Sequence, residues 1–198
     1  MSSSVTVFIF LIATFFPLKT IPRLKVRIKI CFDASKSIEY LHQNGILHRD
    51  IKPDNFLVIS LDDNLKVNCK LTDFGSSRNI NALMTNLTFT KGIGTPAYMA
   101  PEIIEKQHYA KPADVYALGI IMYEIIGWTD CFPKIDFRFP WQIAEFITSG
   151  QRPKKLSSLT NNQFKLIQQC WCHYQTDRFK IEDVVSSLET ELLKIKHQ

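Results

Sequence analysis

His48-Arg49-Asp50-Ile51-Lys52-Pro53-Asp54-Asn55, followed later by Asp73-Phe74-Gly75, concentrates polar and charged side chains in two short runs. It gathers carboxylates at Asp50 and Asp73, an ammonium at Lys52 and an amide at Asn55. Phosphoryl transfer needs such a set. One carboxylate orients a hydroxyl, oxygen donors hold a divalent cation against phosphate, and a cation meets the moving charge. His-Arg-Asp or Asp-Phe-Gly alone occurs by chance in many chains. The octapeptide, then Asp-Phe-Gly, then Gly94-Thr95-Pro96-Ala97-Tyr98-Met99-Ala100-Pro101-Glu102, in that order, is a specific signal.

The flanking pattern gives these loops a scaffold. Phe56-Leu57-Val58-Ile59 and Val67-Asn68-Cys69-Lys70-Leu71 read as short strands around the turn-forming Asp62-Asp63-Asn64. Asp50 and Asn55 precede the first strand and Asp73 follows the second, so antiparallel pairing returns them to one end. Upstream, Leu24 to about Asn44 carries an imperfect helical stripe through Ile28, Phe32, Ser35, Ile38 or Glu39, and Leu41 or His42. Gly45 stands where a left-handed residue ends a helix. Ala34 and Ser35 are small enough for close approach to another element.

Residues 76–98 are polar, rich in threonine and weakly periodic, a long loop of the kind that usually has a function or is disordered. Tyr109 to Gly127 reads as a buried helix with Asp114 near its amide end, Val115, Leu118, Ile121, Met122 and Ile125 in the core, and Gly127 as its stop. Pro133 to Pro140 reads as a loop and Trp141–Ile147 as a short helix ended by Ser149-Gly150. Thr160-Asn161-Asn162-Gln163 has the form of a capping box. Val184, Leu188, Leu192 and Ile195 make a last amphipathic helix. The expected architecture is mainly helical with one small hairpin.

The chain has 198 residues, one domain's worth and enough to bury a sizeable core. Its net charge of +5 is spread over mixed-sign segments, without the aromatic-interleaved basic stripe that nucleic acid binding would need. Five cysteines make an odd count with no CxxC, and their apolar neighbours point to reduced, largely buried thiols and an intracellular setting. Cys170, Cys172 and His173 are close in sequence, but a helix would not aim all three at one metal.

These motifs resemble the catalytic and metal-binding loops of eukaryotic protein kinases, and the resemblance covers about residues 24–195. It implies a protein-kinase-like α+β fold, of which this stretch is the C-terminal lobe, with ATP and Mg²⁺ (Mn²⁺ as an alternative) as cofactors and a serine- or threonine-bearing protein as substrate. By the same resemblance, Asp50 orients the substrate hydroxyl and Lys52 steadies the transferring group, while Asn55 and Asp73 hold Mg²⁺, as oxygen donors suit a hard cation. Leu57 resembles the apolar floor under adenine; on pattern alone it is equally a core leucine. Gly75 lets the chain turn tightly. His48 has a packing role, not an acid–base one, and Arg49 resembles the arginine that meets an activation-segment phosphate. Thr85, Thr88 and Thr90 are candidate acceptors, Thr90 the best placed. Thr95 is similar to the residue that bonds the catalytic Asp and Lys, Glu102 and Arg178 to a buried ion pair, and Asp114 to an acceptor of catalytic-loop amides.

Asp114-Val115-Tyr116-Ala117-Leu118-Gly119 and Cys170-Trp171 resemble tyrosine kinases and the tyrosine-kinase-like group. Together with Lys52-Pro53 they favour the latter group, whose members mostly act on serine and threonine. Gln175 and Phe179 stand where the family commonly has proline. Within the 198 residues there is no glycine-rich GxGxxG loop, VAIK-like lysine or partner glutamate, so an N-terminal lobe is expected to be absent and activity of this chain alone to be low. A regulatory or docking module, bound to a partner kinase, is the alternative. Residues 1–23 are a separate apolar segment. Val5–Phe16 is short for a membrane span, so packing on the fold is favoured over membrane association or targeting. The expected location is cytoplasmic, or at a membrane with the lobe facing the cytoplasm.

Overall fold

The first long helix, α1 (Leu24–Gln43), is the axis of the molecule, a computed structural model that describes residues 21–79 and 96–196. Expectations about residues 5–16 and about Thr85, Thr88, Thr90 and Thr95 fall outside the described residues. Gly45 has φ +69°, the left-handed geometry that lets the chain leave α1 in a tight turn. The helix buries more than one stripe. Val26, Ile28, Ile30, Cys31, Ala34, Ser35, Ile38, Leu41 and His42 are all buried, because α6 (Ile181–Lys196), α3 (Lys111–Gly127) and strand β3 (Cys69–Leu71) pack around it.

Helix α3 is buried at every position from Ala113 to Ile126, as expected of a helix apolar on all sides. It begins after an extended Ala110, with Pro112 in its first turn, so Tyr109 lies outside it. The expected end at Gly127 holds, but the left-handed residue is the next one. Gly127 is the last helical residue, and Trp128, at φ 54°, makes the left-handed exit. What Gly127 provides is room: a Cβ there would come within 2.5 Å of Leu156 Cδ1.

The remaining helices are α2 (Pro101–Ile104), α4 (Pro140–Thr148) and α5 (Asn161–Cys170). At α5 the capping box is formed in full: Thr160 Oγ1 accepts from Gln163 N at 3.2 Å, and Gln163 Oε1 accepts from Thr160 N at 3.0 Å. Gly150, at φ +83°, follows α4. Val184 and Leu188 of α6 are fully buried, with Leu192 and Ile195 packed beside them.

Two antiparallel pairs replace the single expected hairpin. Strand β1 (Ile46–Leu47) pairs with β4 (Arg78–Asn79), in part of the span expected to be loop. Strand β2 (Phe56–Val58) pairs with β3 in the register Phe56↔Leu71, Leu57↔Lys70, Val58↔Cys69. Both β2 and β3 are shorter than their apolar runs. After the bond from Ile59 N to Asn68 O, the buried Asn68 side chain turns to the loop, donating to the carbonyls of Ser60 (2.9 Å) and Asp62 (2.7 Å), and the ladder stops. All five cysteines are free, four of them buried, and burial raises the thiols of Cys31, Cys69 and Cys170, which leaves them unreactive.

Candidate active site

The loop between β1 and β2 carries His48 to Asn55, and its geometry is imposed from below by Asp114. That carboxylate is fully buried and accepts four hydrogen bonds. His48 N (3.1 Å) and the His42 ring (3.0 Å) donate to Oδ2; Arg49 N (3.1 Å) and the Tyr109 hydroxyl (2.7 Å) donate to Oδ1. Burial, then the neighbouring carboxylate, pushes the Tyr109 hydroxyl well above its ordinary pKa, so it stays a donor. Arg49 sits at φ 71°, a strained region for a side-chain-bearing residue, and the carboxylate holds the amides of His48 and Arg49 that lead into that turn. The Arg49 guanidinium lies over the Tyr109 ring at 5.9 Å.

His48 is buried and bridges the two loops. Its Nδ1 accepts from Asp50 N (3.4 Å), so Nε2 carries the proton and donates to Thr72 O (3.0 Å). Its ring meets Phe74 edge-on at 5.5 Å. The second loop is joined to the first by Thr72, whose amide and hydroxyl both donate to Asn55 O, at 2.8 and 3.0 Å. The chain then turns through Asp73 at φ 56°, and Asp73 Oδ1 accepts from Gly75 N at 3.2 Å. The left-handed residue is therefore Asp73. Gly75 lies in the following 3₁₀ turn, where a Cβ would press on Asp73 Oδ1 at 3.2 Å.

Within this frame Asp50, Lys52 and Asn55 form one cluster. Lys52 Nζ lies 2.7 Å from Asp50 Oδ2, and Asn55 Nδ2 donates to the same oxygen (3.0 Å) and to Asp50 O (2.6 Å). Among the described residues nothing bonds Asp50 Oδ1 or Asn55 Oδ1. One oxygen of each side chain is thus fixed in place and, among the described residues, unbonded. The exposed Asp73 carboxylate and Asn55 Oδ1 are hard oxygen donors, the type that Mg²⁺ or Mn²⁺ takes. No three His, Cys, Asp or Glu side chains cluster as a metal cage among the described residues. A Mg²⁺ ion bound here through one carboxylate and one amide would complete its shell with water and phosphate, as this ion commonly does. The donor set fits the group.

Leu57 is 50% exposed and turned away from Phe56, so it is not a core leucine. Ile59, Leu65, Val67 and Phe74 are exposed too. Farther off, Arg178 and Glu102 form a buried bidentate pair at 2.6 and 2.7 Å, with Arg178 also donating to the carbonyls of Cys172, Pro112 and His173. Sequence reading did not find His42 and Tyr109 as partners of Asp114, nor Glu124 as the acceptor for the Tyr98 hydroxyl (2.9 Å). His42 occupies a position on the helical stripe of α1, and a polar residue at such a position was the one signal the sequence offered.

A family model described as Protein kinase domain matches residues 19–188. The chain belongs to that family. It is 38% identical over 165 residues to the probable serine/threonine-protein kinase gdt9 of Dictyostelium discoideum, an alignment covering 83% of this chain and 10% of that protein. It is also 34% identical over 173 residues to the probable kinase gdt4 of the same organism (86% and 10%), and 30% identical over 172 residues to a probable LIM domain-containing serine/threonine-protein kinase there (86% and 25%). The chain thus spans a tenth to a quarter of the length of these relatives. No described helix is long and apolar enough to cross a membrane.

Proposed function

We propose that this chain is the helical lobe of a serine/threonine protein kinase domain of the tyrosine-kinase-like group, built to pass the γ-phosphate of ATP to a protein hydroxyl. The observation that carries the reading is the pair of open oxygens, Asp50 Oδ1 and Asn55 Oδ1, each on a side chain whose other polar atom is tied down. Asp50 Oδ1 is free to accept the proton of an incoming serine or threonine hydroxyl. Lys52, held at Asp50, places its charge where the transferring phosphoryl group gathers negative charge. Asn55 and Asp73 would hold the divalent cation, which when bound supplies charge neutralisation at the phosphates. Leu57 offers apolar surface to a flat base. Arg49, Thr90 and Thr95 take the activation-segment roles that the family resemblance gives them.

The exposed apolar residues of the hairpin, Leu57, Ile59, Leu65 and Val67, favour a second reading, a docking lobe that binds a partner kinase without catalysing. Radiolabelled phosphate incorporation into a basic substrate protein separates the two. The 198-residue chain is assayed alone and joined to a lobe bearing a glycine-rich loop, each with and without Asp73→Asn. Weak transfer that rises by orders of magnitude on joining, and that Asp73→Asn abolishes, is the expected result. No transfer in either form would leave the docking reading.

A further inference from the structure

Three residues spaced four apart on α1, Lys25, Lys29 and Asp33, present one face of the helix to the returning arm of the hairpin. Lys25 Nζ pairs with Asp63 at 3.1 Å. Lys29 Nζ donates to Lys66 O at 2.9 Å and pairs with Asp33 Oδ1. Asp33 is buried, and its Oδ2 accepts from Asn68 N (2.7 Å) and Cys69 N (3.3 Å). The three contacts march along the chain from Asp63 to Cys69, toward the Asp73 end.

The hairpin needs such support. Its strands are three residues each in a two-stranded sheet, a structure of marginal stability by itself. On the edge of β3 away from β2, Asp33 supplies the acceptor that a third strand would offer. Beyond Cys69 only Lys70 and Leu71 intervene before Thr72, which bonds Asn55 O, and then comes Asp73. A shift at Cys69 has little slack in which to dissipate.

We propose that Asp33, steadied by Lys29, is a positioning residue that sets the place of Asp73 and Asn55 by clamping the backbone of β3. The proposal rests on the reading of Asn55 and Asp73 as the metal-holding pair. A plain stabilising role for the partly buried Lys29–Asp33 pair makes a different forecast: loosening confined to the clamped amides, with no effect at the far end of the strand.

The test compares the full 198-residue chain with Asp33→Asn by amide hydrogen exchange and by Mn²⁺·ATP binding, followed through water-proton relaxation. Asn keeps the shape but gives up the charge and one acceptor, so exchange at Asn68 and Cys69 should quicken roughly ten-fold. The quickening should reach Thr72 to Gly75, α3 should stay protected, and Mn²⁺·ATP affinity should fall roughly ten-fold, as for other residues that orient metal ligands. Quickening confined to Asn68–Leu71, no quickening, or unchanged affinity in a wild type that binds would each overturn the proposal. Wild-type protein that takes up no Mn²⁺·ATP would refute the metal-site reading instead, and exchange at Thr72–Gly75 would then decide the clamp alone. Should Asp33→Asn not fold, Lys29→Gln should give the same exchange pattern at smaller amplitude. Unchanged exchange across residues 67–75 in that variant would equally overturn the proposal.

Discussion

Asp114 Oδ2 lies 3.0 Å from the His42 ring nitrogen across 72 residues of sequence, and the same oxygen holds the amide of His48. One carboxylate thus joins the end of α1, the start of α3 and the loop that carries Asp50. In Asp114→Ala, two amides, the Tyr109 hydroxyl and the His42 ring lose their acceptor inside a fully buried site. Stranded buried donors cost about 1–3 kcal/mol apiece. We expect a loss of at least about 3 kcal/mol in urea unfolding, and a change below about 1 kcal/mol would mean that other acceptors replace the carboxylate.

Glu102→Ala should damage stability as well, for a different reason. Arg178 is fully buried in its side chain and would lose its carboxylate, keeping three carbonyls and the face of the Tyr116 ring. Breaking a buried pair from one side typically costs about 3–5 kcal/mol. A thermal melt indistinguishable from wild type would show that Arg178 finds solvent.

Glu124 predicts a pH slope. Burial, opposed by the bonds from Tyr98 and Cys131 N, pushes its carboxyl from 4.5 up to about 8. Between those values the folded chain holds a proton that the unfolded chain has released. Stability from this group is therefore full at the acid end and declines as pH rises through that window. Glu124→Gln keeps the shape and removes the titration. The stability difference, variant minus wild type, should grow from pH about 5 to pH about 8 by an amount on the order of a few kcal/mol. A difference that stays flat in urea titrations across that range would refute the protonated carboxyl.

Two glycines of one helix should answer alanine differently. At Gly119 the new Cβ would lie 2.7 Å from Cys170 Cβ, at the end of α5 where backbone cannot easily yield. Overpacking of this kind costs about 1–3 kcal/mol. At Gly127 the obstacle is Leu156 Cδ1, the tip of a half-buried side chain that can rotate, and the better helix former returns up to about 1 kcal/mol. Thermal melts should rank Gly119→Ala well below Gly127→Ala; the reverse order would mean that α5 moves more readily than Leu156.

What the sequence made legible was local. Gly45, the Thr160–Gln163 box and the apolar spacing of α1 and α6 are short-range devices, and each stands where the pattern put it. The errors have tertiary causes. Gly127 does end α3, but the left-handed exit is made by Trp128, and the glycine itself answers to Leu156, a neighbour invisible in the local pattern. The β1–β4 pair has two residues a side, too short for any alternation to show. For the site, motif order named the residues of the cluster, but which oxygens stay open depends on the bonds from Lys52 and Asn55 to Asp50. Asp33 left no trace, since a lone acid on an apolar helix face looks like an ordinary interruption until Asn68 and Cys69 are seen beneath it.

The packing of α1 against α6 also bears on how the chain is made. Among the described elements these two helices form the most extensive contact, yet they are the first and last described helices in sequence. During synthesis the apolar face of α1 leaves the ribosome ahead of α6 and lacks that partner until residues 181–196 follow. Long-range closure of this kind is slow relative to helix formation and leaves sticky surface open meanwhile. The core on that side of α1 is therefore completed only once α6 has been made.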